Sequence, residues 1–156
     1  MSGLEKIGPG RAAPGIDRRE LLARGLWAVG FAPLCCVTEP APASAFSIEP
    51  GQVVMDRGLL PRAGSAVALV DGDRKINLIV VRAERNRYAA LDRSCTHGGA
   101  QCAYNNRRKT VQCTSLNHAE FDLNGTLLHG RTHGNLRTYE VRAEGKKLVI
   151  SLGAAG

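Results

Sequence analysis

Two short segments of the chain each place a cysteine and a histidine close together. Cys95 and His97 are separated by one residue in SCTHGGAQC, and Cys113 and His118 by four residues in VQCTSLNHAEFD. Thiolate and imidazole together suit zinc and iron–sulfur sites. Each pair follows a short apolar run, so we expect each at the point where a strand becomes a loop. Two such loops at one end of a β domain would bring two sulfurs and two nitrogens to one point.

The number of cysteines also points to a bound metal. Three cysteines follow residue 45, namely Cys95, Cys102 and Cys113. In an exported protein an odd number excludes complete intramolecular disulfide pairing, so at least one thiol is free, intermolecular or bound to metal. We expect Cys102 to be a small buried or half-buried thiol and not a ligand.

The segments around these pairs have the pattern of β-strands. β-branched or alternating runs, separated by turn signals such as Asn124-Gly125 and Glu144-Gly145, predict strands and hairpins. The predicted strand regions are 65–70, 76–82, 88–91, 111–113, 121–128, 136–142 and 147–152. No segment after residue 45 has a convincing helical period. The sequence therefore predicts an all-β fold, a small antiparallel sandwich or barrel that forms one domain.

The N-terminal region has the features of an export signal. Two arginines at 18–19 precede an apolar stretch at 25–37, and the small residues at 43–45 fit a cleavage site. The arginine pair is similar to a twin-arginine signal. We therefore divide the chain into an export signal with a Pro/Ala linker, residues 1–45, and a domain, residues 46–156. The expected location is the periplasm, or another compartment reached by export through the twin-arginine route.

A membrane anchor through residues 25–37 is a less favoured alternative. The apolar stretch has about 13 residues and contains Pro33, whereas a membrane-spanning helix needs about 20. The twin-arginine route carries folded proteins, which agrees with a cofactor that is inserted before export.

The charge balance bears on the class of partner. The formal net charge is +7, and residues 46–156 contribute +6 of it. Such a basic balance suits nucleic acid, an anionic membrane face or an acidic protein. No aromatic residues alternate with the basic ones as a base-stacking surface requires. We therefore expect no nucleic acid and favour a protein partner.

The ordered combination of these motifs resembles a Rieske iron–sulfur protein. Cys95-Thr96-His97 with a following glycine is separated by 15 residues from Cys113, and His118 leads into the residues AEFD. LNGTLLHG and LRTYEV resemble the hairpin and closing strands of that fold. The resemblance implies an antiparallel β domain with a [2Fe-2S] cluster held by two loops at one tip. It assigns Cys95 and Cys113 to the inner iron and His97 and His118 to the outer iron.

The second motif departs from the family pattern. Family members usually have two residues between the second cysteine and histidine, and this chain has four. An alignment on His118 would place Ser115 at the ligand position. Because a serine alkoxide is a harder and rarer iron ligand than a thiolate, we favour Cys113 with a longer loop, and Ser115 stays as the alternative.

Two further departures concern the reduction potential and the loops. High-potential members donate hydroxyl hydrogen bonds to the cluster from positions that read Ala119 and Phe121 here. We therefore expect a potential in the lower or middle part of the family range of roughly −150 to +300 mV. The disulfide that joins the two loops in many members is not expected, because the second loop has no spare cysteine.

These features lead to one favoured function and two alternatives. The favoured function is one-electron transfer, as an exported carrier or as the small subunit of a periplasmic oxidoreductase similar to arsenite oxidase. Its redox partner would be a cytochrome or an oxidase large subunit. The alternatives are the Rieske subunit of a quinol–cytochrome c reductase and a zinc-stabilised binding module without redox activity. Catalysis by this chain alone is not expected.

Overall fold

The computed structural model describes residues 38–116 and 118–153, and it confirms an all-β fold. Two short 3₁₀ turns occur at Ala43–Ala45 and Arg57–Leu59, and no α-helix is present in these ranges. The eleven strands are β1 Phe46–Glu49, β2 Gln52–Asp56, β3 Ala66–Asp71, β4 Ile76–Arg82, β5 Tyr88–Asp92, β6 Cys102–Asn105, β7 Thr110–Cys113, β8 Glu120–Phe121, β9 Leu127–His129, β10 Thr138–Glu144 and β11 Lys147–Ser151.

The strands form two antiparallel sheets. The larger sheet has seven strands in the order β1-β2-β11-β10-β5-β4-β3, and the smaller has four in the order β6-β7-β8-β9. Both sheets consist of neighbouring hairpins, except where β5 pairs with β10 and β2 with β11. The whole of β6 to β9 is therefore inserted between β5 and β10. This insertion contains both cysteine–histidine segments.

Two hydrophobic clusters form the core. The first lies within the large sheet and is built from aliphatic side chains of β2, β3, β4 and β11. The second joins the large sheet to the small one, with Ile79 and Leu91 on one side and Val111 and Phe121 on the other. The cysteines of the candidate site belong to this second cluster. Burial of these side chains is the main force that holds the insertion in place.

Three strands were not predicted from the sequence. β1 and β2 form a hairpin around Pro50-Gly51, a turn signal that we did not interpret because it follows the leader. β6 begins at Cys102 and pairs with β7 in register. Its short polar sequence, CAYN, has no strand signal by itself, and pairing with β7 decides its conformation.

Residues that we assigned to the linker lie along the edge of the large sheet. Pro40 forms a parallel bridge with Ala68 of β3, and the Ala41 amide donates to the Ala68 carbonyl at 2.8 Å. The Thr38 hydroxyl accepts from the Tyr104 amide at 3.0 Å. Residues 38–41 thus protect the exposed edge of β3 from pairing with other chains. The boundary at residue 45 stays a prediction.

The predicted export signal and the possible anchor at residues 25–37 lie outside the described residues. Within residues 38–116 and 118–153, no helix is long and apolar enough to cross a membrane.

Candidate iron–sulfur site

The first loop of the site, residues 93–101, follows β5 directly. The Cys95 amide donates to the Ala100 carbonyl at 2.7 Å, and the Gly99 amide donates to the Cys95 carbonyl at 2.9 Å. Gly99 has a φ of +71°, a conformation that glycine adopts at little cost. The resulting tight turn holds Cys95 in the interior, 2% exposed, and leaves His97 half-buried.

The second loop, residues 114–119, follows β7. Both the amide and the hydroxyl of Thr114 donate to the Gln101 carbonyl, at 2.9 and 2.8 Å. These two bonds join the second loop to the end of the first. Cys113 itself is 3% exposed, and its amide donates to the Ala119 carbonyl at 2.8 Å. The structure therefore brings the two cysteine-bearing loops to the same tip, as the sequence predicts.

A third loop, residues 130–137, covers the first two. The Thr96 hydroxyl donates to the Gly134 carbonyl at 3.0 Å. Gly130 has a φ of +92°, and a Cβ at this position would lie 2.8 Å from the Cα of Ala119. Only glycine permits such a close approach of the two backbones. The three loops together form a surface that we call the cluster tip.

Three sulfur atoms converge beneath the cluster tip. The Sγ atoms of Cys95, Cys102 and Cys113 all lie within 4.8 Å of one another, and all three residues are buried. His97 Nδ1 lies 2.8 Å from the Cys95 Sγ and 4.0 Å from the Cys113 Sγ. The Ser115 hydroxyl lies 3.1 Å from the Cys113 Sγ and 3.2 Å from His97 Nε2.

The three thiols differ in acidity. Burial raises the pKa of Cys95 and of Cys102, and the neighbouring sulfurs raise the pKa of Cys102 further. Burial acts in the same direction on Cys113, but hydrogen bonds from the Ser115 hydroxyl and amide outweigh it and lower the pKa. The Ser115 contacts thus favour the ionised form of Cys113. A bound metal would take the place of the proton at the thiols that it binds.

His118 does not join this group. It is exposed, has a φ of +43°, and lines a cavity of about 290 Å³ together with Asn105, Arg108, Gln112 and Glu120. Among the described residues, the group of metal-ligating side chains around the site consists of the three cysteines, with His97 in contact. The ligand role assigned to His118 from the sequence stays a prediction.

Comparison with known proteins identifies the family. A family profile described as the Rieske [2Fe-2S] domain matches residues 52–140, which is more than half of the chain. The protein belongs to the Rieske [2Fe-2S] family. No curated protein matches the sequence. The cofactor that follows from this membership is a [2Fe-2S] cluster, as the sequence predicts.

Two solved structures are similar to this chain. The ferredoxin of carbazole 1,9a-dioxygenase from Nocardioides aromaticivorans superposes with a TM-score of 0.52 at 22% identity, over 63% of this chain and 93% of that one. The cyanobacterial plasma membrane Rieske protein from Synechocystis gives a TM-score of 0.44 at 20% identity, over 65% of this chain and 87% of that one.

The residues present fit the cofactor. Thiolates and an imidazole are the donor types that hold a Rieske cluster, and Cys95, Cys113 and His97 supply them within hydrogen-bonding reach of one another. When bound, the cluster supplies a one-electron redox centre. The chain supplies a buried site under three joined loops, and its function is electron transfer.

The position of Cys102 differs from the one expected from the sequence. The sequence predicts a buried thiol, and the residue is fully buried, but its Sγ lies beside the other two sulfurs. The register Cys102↔Cys113 explains this position. The sequence did contain a signal for this position. CAYN and TVQC lie on either side of a four-residue turn. If both are strands of one hairpin, Cys102 and Cys113 at their outer ends must pair.

Proposed function

We propose that this Rieske protein is exported and transfers one electron at a time. It acts either as a free carrier or as the small subunit of a periplasmic oxidoreductase. The observation that carries the proposal is the arrangement of the site: buried sulfurs lie beneath a half-buried His97 at the surface of the cluster tip. An imidazole at the boundary between cluster and solvent is the shortest route for an electron to a docked partner.

The chemistry of the cluster tip supports an acidic redox protein as the partner. All four histidines of the chain lie at this tip or directly beside it, and the three loops carry arginines but no aspartate or glutamate. Leu116 projects from the second loop with 93% exposure. Three carboxylates lie beside these loops in the chain. Glu120 is paired with Arg108, Asp122 accepts amides of its own hairpin, and Asp92 accepts the Ser94 amide.

An apolar side chain within a basic surface suits a complementary acidic face. Opposite charges raise the association rate by about 10- to 1,000-fold at low salt, and a central apolar contact holds the docked complex. A cytochrome or an oxidase large subunit with an acidic surface would have this complementarity.

The docking proposal is tested with purified, reduced holoprotein and an acidic cytochrome in stopped-flow experiments. We expect Arg131→Glu to lower the second-order rate at low ionic strength by about tenfold, with the difference lost in high salt. Lys146→Glu is the matched control, because the turn between β10 and β11 lies at the opposite end of the strands. Equal effects of the two substitutions would contradict docking at the tip.

Export is tested with the full chain in a bacterium that has the twin-arginine pathway. We expect the wild type in the periplasmic fraction with its cluster, and a variant with Arg18→Lys and Arg19→Lys in the cytoplasm. Arg24→Lys, a conservative change outside the pair, is the control and should be exported. Export of the double variant would contradict the twin-arginine route.

The cofactor and the zinc alternative are distinguished by metal analysis. We expect iron and acid-labile sulfide, two of each per chain, and an electron paramagnetic resonance signal after reduction. One zinc per chain and no signal would contradict electron transfer and leave a structural binding module.

A further inference from the structure

The donor groups of the site do not divide into two sulfurs and two nitrogens. Three buried Sγ atoms lie within 4.8 Å of one another, and one imidazole, His97, contacts them. We propose that the cluster of this protein is held by three thiolates, from Cys95, Cys102 and Cys113, and one imidazole, from His97. The inference rests on the proposed function, because it concerns the ligands of the same cluster.

Strand register places Cys102 at the site. Cys102 of β6 is the direct partner of Cys113 of β7. The Cys102 amide donates to the Arg93 carbonyl and the Cys113 amide to the Ala119 carbonyl, so the two cysteines form a pair without mutual hydrogen bonds. In such a pair the side chains share one face and approach most closely. The hydrogen bonds on both outer sides keep this register.

His118 is associated with the opposite face of the small sheet. Side chains alternate along β7, so that Cys113 is buried at the sulfur site while the adjacent Gln112 lies on the other face. Gln112, Arg108 and Glu120 line a cavity with His118. His118 has a φ of +43° and lies two residues before the start of β8.

Arg93 places a positive charge near Cys102, where burial opposes a third thiolate. A thiolate in place of a neutral imidazole makes the cluster more negative by one charge, which lowers its reduction potential. The Arg93 side chain lies beside this position and donates from Nε to the Cys102 carbonyl at 3.3 Å. A positive charge held near Cys102 would offset part of the additional negative charge. A more negative cluster agrees with the reduction potential expected from the sequence, which lies in the lower or middle part of the family range.

The number of nitrogen ligands tests this assignment on the wild-type holoprotein. Protein is labelled with ¹⁵N-histidine, and the reduced cluster is studied by pulsed electron paramagnetic resonance. We expect one strongly coupled imidazole nitrogen. Two strongly coupled nitrogens would overturn the assignment, since they require His118 as a second ligand. The measurement does not depend on whether any variant folds.

Matched substitutions identify the residues. His118→Asn removes the imidazole with a residue that tolerates a positive φ, and we expect iron and sulfide per chain to stay unchanged. His97→Asn and Cys102→Ala should each lower both by about tenfold or more, with strand structure checked by circular dichroism. Loss of the cluster in His118→Asn would overturn the assignment. So would an unchanged spectrum in Cys102→Ala.

Failure of the proposed function would give a different experimental result from failure of the ligand assignment alone. A wild-type protein that binds no iron after anaerobic reconstitution would overturn both the electron-transfer function and the ligand assignment. A wild-type protein with two irons, two sulfides and two coupled nitrogens would overturn the ligand assignment alone.

Discussion

Ser115 lies between Cys113 and His118 in the chain, and its side chain contacts the sulfur site. Its hydroxyl lies 3.1 Å from the Cys113 Sγ and 3.2 Å from His97 Nε2. The sequence left Ser115 and Cys113 as alternative ligands, and the structure places both at the site. A hydroxyl that donates to a thiolate stabilises negative charge on the sulfur. We interpret Ser115 as a residue that tunes the cluster through Cys113.

Substitutions at these two positions should therefore have different results. We expect Cys113→Ser to abolish cluster binding, because an alkoxide is a poor replacement for a thiolate. Ser115→Ala should retain both irons and lower the reduction potential, because the reduced cluster loses a hydrogen bond. Metal analysis and a redox titration check both outcomes. A cluster that survives in Cys113→Ser with an unchanged spectrum would assign the ligand to Ser115.

Glu120 is a buried acid whose partners explain its acidity. Its side chain is 7% exposed, accepts from the Thr110 hydroxyl at 2.6 Å, and pairs with Arg108 at 3.0 Å. The hydrogen bond from Thr110 is the largest cause of a lowered pKa, which the Arg108 guanidinium lowers further. These contacts stabilise the ionised form of Glu120 and join β7 to β8.

The stability that Glu120 contributes should depend on pH. Its pKa is lower in the folded state than the ordinary value of 4.5, so the contribution is complete above about pH 4.5 and is lost as the pH falls through the folded value. We expect Glu120→Gln to lower the free energy of unfolding by about 2 kcal/mol at pH 7. Denaturant titrations followed by circular dichroism, at pH values where the cluster absorbance is retained, check this. A difference that grows on acidification would contradict the assignment.

At the scale of elements, the contact between the second and third loops depends on Gly130. Its φ of +92° and the Ala119 Cα beside it leave no room for a Cβ. Gly125 is a second such position, since a Cβ there would contact the Leu136 carbonyl oxygen. The first close approach packs the third loop against the second loop, and the other packs it against the turn between β8 and β9.

We expect Gly130→Ala to destabilise the tip by about 2 kcal/mol or more, because backbone strain adds to the contact with Ala119. Gly51→Ala is the matched control. Gly51 also has a positive φ, +78°, but no atom lies within 4 Å of its Cβ position. Its cost should be the backbone strain alone, about 1 kcal/mol. Thermal unfolding and the electron paramagnetic resonance spectrum of the cluster are measured for both variants. Equal destabilisation, with no change in the spectrum of Gly130→Ala, would contradict the role of this contact.

At the scale of the whole molecule, the two hydrophobic clusters divide the protein by function. The cluster within the large sheet contains none of the cysteines of the site, whereas the cluster that joins the sheets contains all three described cysteines. Removal of the [2Fe-2S] cofactor therefore acts directly on the second core alone. The large sheet keeps its own buried aliphatic core.

Chelation of the iron should consequently loosen one part of the molecule. We expect hydrogen exchange of β6 to β9 and the loops of the cluster tip to accelerate by at least about tenfold, since bound ligands stabilise only the parts they contact. Exchange in β2 and β11, whose buried side chains belong to the first core, should change little. Mass spectrometry of peptides from holo and cluster-free protein measures the difference. Uniform acceleration in both parts would show that the fold depends on the cofactor as a whole.

Much of the fold could be predicted from local patterns. β3, β4, β5, β10 and β11 have β-branched or alternating sequences and clear turn signals, and the structure contains all of them. β6 could not be predicted in this way, because its four residues become a strand only by pairing with β7. The Cys-x-His motif and the later Cys113 and His118 carried the resemblance to the Rieske family, and the family profile over residues 52–140 confirms that family.

The sequence by itself determined the donor chemistry, the all-β class and the two loops that carry Cys95 and Cys113. Only the tertiary structure decided which side chains meet. Strand pairing places Cys102, eleven residues from Cys113 along the chain, on the same face as that cysteine. His118 lines a cavity with Gln112 and Glu120. Spacing along a chain limits which ligands are possible, but register and loop conformation decide their directions, because these depend on hydrogen bonds and packing between distant segments.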